Sequence, residues 1–221
     1  MADKTQIIIT AKDETRAAIA SAQRGLDSLA ASGASLRTAF GFLGAAGGIA
    51  GLIGGAGLAA TVKTAVDELD RLDEAAERVG VSVESLSALN FAGTLSGLEA
   101  EDMTMALTKL SVKLQEAASG SKEAAALFAD LGVKVTDSTG KLKSADDVLA
   151  EVADAFSGFE DGASKTALAV DLFGKSGAKL VPLLNRGADG LAQMRAEAEK
   201  LGAVVDGKLA KQAADFNDNL D

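Results

Sequence analysis

Apolar residues recur at helical spacing through most of this chain. From Thr64 to Val79, the residues Val66, Leu69, Leu72, Ala76 and Val79 fall on one face of a helix. Asp67, Glu68, Asp70, Asp73, Glu74 and Glu77 fall on the other. Gly80 ends that pattern. Ser82 is placed to cap a following helix carrying Leu86, Leu89 and Leu95. Gly97 separates it from a longer one, about Glu99 to Ala118, with Met103, Leu107, Leu110 and Leu114 as its stripe. Ser121 caps another that runs to Leu131 and closes at Gly132. Ser144, followed by Asp146 and Asp147 in the first turn, opens a helix whose buried stripe is Val148, Leu149, Val152 and Phe156. Helices at roughly 161–173, 177–185, 188–201 and 206–221 follow, joined by short connections.

Three stretches break the helical period. Lys4 to Thr10, built on Ile7, Ile8 and Ile9, predicts a short β-strand that needs a partner from elsewhere. Asp13 then caps a helix to about Ala31, with Ile19, Leu26 and Leu29 at helical spacing. Val133 to Lys143 predicts a β-hairpin. Val133 and Val135 alternate on one arm, Leu142 sits on the other, and Asp137-Ser138-Thr139-Gly140 forms the turn.

The third stretch is Phe40 to Val62, 23 residues without a charge between Arg37 and Lys63. Its length permits a membrane span. Eight of its residues are Gly and six are Ala, so membrane insertion would be marginal. Gly44 with Gly48, Gly47 with Gly51, and Gly51 with Gly55 form overlapping small-residue pairs that let two backbones approach closely. Three readings fit: a Gly-rich apolar linker or buried hairpin, a self-associating helix inside an assembly, and a membrane segment.

Leu172 to Gly202 is the most distinctive run. Leu172, Phe173, Leu180, Val181, Leu183 and Leu184 supply apolar surface. Gly174, Gly177, Gly187 and Gly202 are expected where helices stop and the chain turns with positive φ. A helix ending Leu-Phe-Gly-Lys-Ser-Gly, a helix carrying Pro182-Leu183-Leu184, and Gly187-Ala-Asp-Gly-Leu opening an Ala/Glu helix together resemble the N-terminal conserved region of phage tail tape measure proteins, the phage-related minor tail protein family. Glu77–Leu89, Gly93–Leu107, Gly132–Asp146 and Lys208–Leu220 resemble further parts of that region in the same order. The resemblance covers about residues 64–221. It implies a chain lying along the lumen of the virion tail tube, made in the bacterial host cytoplasm. Its length would set tube length, and tube subunits would assemble around it with tail assembly chaperones. Family members usually run for many hundreds of residues, so a chain stopping after Asp221 is expected to be a fragment or a truncated prophage copy.

Composition narrows this further. The chain has 221 residues, 48% of them hydrophobic but only 4% aromatic, all Phe, so an Ala-rich core is expected. With 22 basic and 32 acidic residues, the net charge is −10, which argues against a surface that tracks phosphates. An acidic chain can share a channel with DNA without sticking to it. There is no Cys, so no disulfide framework exists, and the N-terminus lacks the flank and core of a signal peptide.

Candidate chemistry is sparse. No His or Cys is available as general base or thiolate nucleophile. Glu99–Asp102 and Asp146-Asp147 are acidic clusters at helix starts, where the helix dipole explains them. Gly174-Lys175-Ser176 invites a phosphate-loop reading. That motif needs a Gly where Ala169 stands and a strand where Ala167–Phe173 reads as helix, so the reading fails. No metal or cofactor site is expected.

The fold expected is mainly α: a compact multi-helix domain over 64–221 with one small β-hairpin. An N-terminal strand and helix over 1–37 and a Gly/Ala-rich apolar segment over 38–63 would precede it. The function expected is that of a non-enzymatic tail component with self-association through Gly44, Gly47, Gly48, Gly51 and Gly55. Its structural motif would be Phe173, Gly174, Gly177, Pro182, Leu183 and Gly187. A membrane-active protein inserting residues 40–62 is the alternative.

Overall fold

The computed structural model describes residues 55–218. The expected strand at 4–10, the helix after Asp13, and Gly44, Gly47, Gly48 and Gly51 lie outside them. The described elements are α1 (Gly55–Val79), α2 (Val83–Leu95), α3 (Ala100–Ala118), α4 (Lys122–Asp130), α5 (Ala145–Ser157), α6 (Ala163–Phe173), a 3-10 turn (Gly174–Ser176), α7 (Gly177–Leu184), α8 (Gly187–Leu201) and α9 (Gly207–Asp218). Gly55, in the stretch of small residues, is the first residue of α1.

The sequence signals for helix starts act as their chemistry dictates. The hydroxyl oxygens of Ser82, Ser121 and Ser144 each accept the backbone N–H three residues on, from Ser85, Ala124 and Asp147. Each such cap contributes about 1 kcal/mol. The helices then pack around α3, which touches α1, α2, α4, α5, α6 and the 3-10 turn. Its Met103, Leu107 and Leu110 are fully buried, with Leu86 from α2, Phe128 from α4, Phe156 from α5, and Leu172 and Phe173 from α6. A smaller cluster, Val66 and Leu69 with Leu209 and Ala213, joins α1 to α9.

The expected hairpin at Val133–Lys143 is cut down to a turn: Asp137 N–H donates to Lys141 O at 2.8 Å and Lys143 N–H to Val135 O at 3.0 Å, but neither arm forms a strand. Among the described residues the β structure there is a single antiparallel bridge, Thr136 to Leu142. The reason is local competition for backbone groups. The Val133 N–H is taken by Phe128 O at 2.9 Å, closing α4, so the first arm loses a residue before it can pair. At the other end, Asp137 Oδ1 accepts the N–H groups of Thr139 at 2.8 Å and Lys141 at 3.0 Å. The carboxylate thus organises the turn itself. Val133 is buried, but it seats against helices rather than a partner strand.

Candidate functional site

The Leu172–Gly187 run is the junction at which α6, the 3-10 turn, α7 and α8 meet α3 and α5. Phe173 closes α6 and is 1% exposed. Gly174 follows at φ 70° and ψ −158°, a positive-φ conformation almost reserved for glycine, and the chain turns there. Leu180, Leu183 and Leu184 are fully buried on α7. Pro182 lies inside that helix on its exposed side, where its missing N–H removes one intrahelical bond. Gly187 turns the chain again at φ 67°, against Ser157 at the end of α5.

Gly177 corrects one expectation. Its φ is −55°, so it makes no left-handed turn. It is needed for space: a Cβ placed there would lie 2.0 Å from Ala169 O. The first turn of α7 rests directly on the backbone of α6, and only a residue without a side chain permits that.

Asp102 anchors the junction to α3. It is 7% exposed. Lys179 Nζ donates to its Oδ2 at 2.7 Å, and Ser176 Oγ donates to its Oδ1 at 3.3 Å. Asp102 does more than complement the dipole of α3. It sits in the first turn of α3 and accepts from the Glu99 N–H, and it also binds a cation 77 positions away. The Lys179 hydrogen bond, ahead of every other influence, holds the Asp102 carboxyl below its ordinary value of 3.8. On the opposite flank Lys165 is buried, with a side chain 3% exposed. Its ammonium donates to Phe159 O at 2.8 Å and Asp161 Oδ1 at 3.0 Å. Asn185 Nδ2 reaches the same Asp161 oxygen at 3.0 Å, tying the α5–α6 connection to the end of α7.

These contacts set an acid dependence. Glu84 is also held below its ordinary value of 4.5, first by the Gly207 N–H, which donates to Oε1 at 2.8 Å. A carboxylate with a depressed folded pKa contributes stability above its unfolded pKa and loses it as pH falls through its folded pKa. Asp73 has the opposite sign. Burial first, then Glu77, Asp70 and Asp215, raise it above 3.8 against the pull of Lys211, so its protonation offsets part of the loss. Unfolding midpoints in urea are expected to fall as pH drops below about 4.5, and Asp102→Asn should flatten that fall. An acid limb of unchanged steepness in the variant would exclude Asp102 as a contributor.

Two clefts flank the body. The first, about 470 Å³, lies between α1, α2, the start of α3 and the α8–α9 connection, with Leu69, Leu72, Asn90, Thr104 and Val205 among its walls. The second, about 430 Å³, lies between α2, α5 and α8, floored by alanines such as Ala88, Ala92 and Ala150 and edged by Asp146 and Arg195. Among the described residues no group of three or more His, Cys, Asp or Glu side chains is placed to hold a metal ion. The acidic pair Asp146-Asp147 sits on the first turn of α5, where Asp147 Oδ2 accepts from Ser144 Oγ at 2.8 Å. Among the described residues the arrangement brings together packing contacts and ion-pair anchors.

The sequence matches the family model described as phage-related minor tail protein over residues 2–174, more than three quarters of the chain. The match ends at Gly174, so α7, α8 and α9 lie beyond it. No curated protein and no solved structure matches the chain.

Proposed function

The chain belongs to the phage-related minor tail protein family, and from that membership we propose that it carries the N-terminal region of a tape measure protein, a non-enzymatic part of the tail that helps set tail length and nucleates tube assembly. The family match is the observation that carries this reading. On this reading the chain lies in the tube lumen, with the tail tube protein and tail assembly chaperones as partners, no specific binding to nucleic acid, and self-association through Gly44, Gly47, Gly48, Gly51 and Gly55.

Geometry divides the labour within such a protein. A helix converts sequence into distance at about 1.5 Å per residue, so the 25 residues of α1 span about 37 Å. The rest of the described chain doubles back at each connection onto a shared core, so added residues there would change a fold rather than a length. The described body is the docking or assembly part, and the ruler is helical sequence outside it.

The test is made in the full reading frame. Deleting helical residues beyond Asp221 should shorten tails by up to about 1.5 Å per residue, measured by electron microscopy. Tails of unchanged length, or a frame that stops at Asp221, would overturn the ruler part. As for the membrane-active alternative, no helix among the described residues is long and apolar enough to cross a bilayer. Residues 40–54 lie outside them, and flotation of the protein with liposomes would favour that alternative.

A further inference from the structure

α9 is held to the body by little apolar surface. It packs chiefly on α1 and touches α2. Its contribution to the main cluster is Ala210. Leu209 and Ala213, with the half-buried Phe216, pack instead on Val66 and Leu69 in the small separate cluster. Large buried apolar side chains are what resist local opening. α9 buries Leu209 and two alanines, where α3 buries Met103, Leu107, Leu110 and Leu114.

Polar pins complete its attachment. Gly207 N–H donates to Glu84 Oε1 at 2.8 Å, Val205 N–H to Ser87 Oγ at 3.0 Å, and Asn217 Nδ2 to Asp70 Oδ2 at 2.7 Å. Water replaces such bonds when the partners separate, so each adds little to the cost of opening. The helix also carries its own start, because Asp206 Oδ1 accepts the Lys208 N–H at 2.8 Å. A hinge is in place as well. Gly202 closes α8 at φ 69°, and residues 203–206 lead to α9 without helix or strand. The same region borders the first cleft. Leu69 belongs both to the small cluster and to the cleft wall, and Ala203 and Val205 of the connection are wall residues too.

We propose that α9 is a hinged strap, which swings away about residues 202–206 while the rest of the body stays folded, baring Val66 and Leu69 and widening the first cleft. The strap is independent of the tail role and stands or falls by itself.

The chain has no cysteine, so single reporters can be placed in it. Ala213→Cys reports on the α9 face against α1, and Ala153→Cys on α5 in the main cluster; neither position is more than 1% exposed. A thiol at either place reacts with a small maleimide only when its surroundings open. In the full-length chain without denaturant, Ala213→Cys is expected to label at least about tenfold faster than Ala153→Cys. Adding Phe216→Ala should speed the first by about tenfold and leave the second unchanged. A smaller ratio between the two reporters, or equal acceleration of both by Phe216→Ala, overturns the proposal, because α9 would then open only with the whole body. Hydrogen exchange of the unsubstituted chain covers the case of a cysteine that itself loosens α9. The amides of residues 209–217 should be at least about tenfold less protected than those of residues 103–114, and equal protection overturns the strap.

Discussion

Phe173→Asp is expected to unfold the helical body and to abolish tails rather than shorten them. Phe173 is 1% exposed and belongs to the main cluster with Leu172, Leu180 and Leu183. Losing a buried Phe costs about 3–5 kcal/mol through lost burial and the cavity left behind together. A carboxylate placed at this buried position adds several kcal/mol of desolvation. Together these equal much of the 5–15 kcal/mol that stabilises an ordinary domain. Phe173→Leu keeps the site apolar and should leave the fold intact, with a loss of about 1–2 kcal/mol. Circular dichroism of both variants tests the stability half. Counting and measuring tails tests the functional half, and normal numbers of shortened tails from Phe173→Asp would contradict the division between folded body and ruler.

Gly177→Ala should destabilise more than Gly174→Ala, although backbone torsion alone gives the opposite order. Gly174 sits at φ 70° and ψ −158°, a region almost reserved for glycine where an L-residue costs about 1–3 kcal/mol, but a Cβ there meets nothing nearer than Lys109 Cγ at 3.6 Å. Gly177 has a helical φ of −55°, where alanine should gain up to about 1 kcal/mol. That gain is overwhelmed. The Cβ would stand 2.0 Å from Ala169 O and 2.5 Å from Ala169 C. Both are backbone atoms, so no side chain can swing away and α7 must lift off α6. The expected loss is about 3 kcal/mol or more, seen as a fall in the thermal midpoint of roughly 6–12 °C. A smaller loss at Gly177 than at Gly174 would mean that α7 does not rest on α6 as described.

The family match stops at Gly174, yet the residues that most resembled the family lie on both sides of that point. Both mutated glycines therefore probe the seam between the matched region and the helices that follow it.

What the sequence determined by itself was everything carried by neighbours along the chain. The caps at Ser82, Ser121 and Ser144 depend on a hydroxyl and an N–H three residues away. The stripe Val148, Leu149, Val152 and Phe156 depends only on helical period, and all four are fully buried. The same holds for Met103, Leu107, Leu110 and Leu114 on α3.

Tertiary structure decided the rest. The alternation of Val133 and Val135 was a genuine β signal, but the Val133 N–H went to the end of α4, and what remains is a short turn held by backbone bonds and the Asp137 carboxylate rather than two strands. Gly177 looked like a turn glycine because absence of a side chain serves both for torsion and for clearance. Only the position of Ala169 O shows which applies. Asp102 lies more than 70 positions from both Ser176 and Lys179, so no local pattern could pair it with them. The unpartnered Oδ1 of Asn90 could not be foreseen either, since a missing hydrogen bond is a property of everything packed around an atom and of no single stretch of sequence.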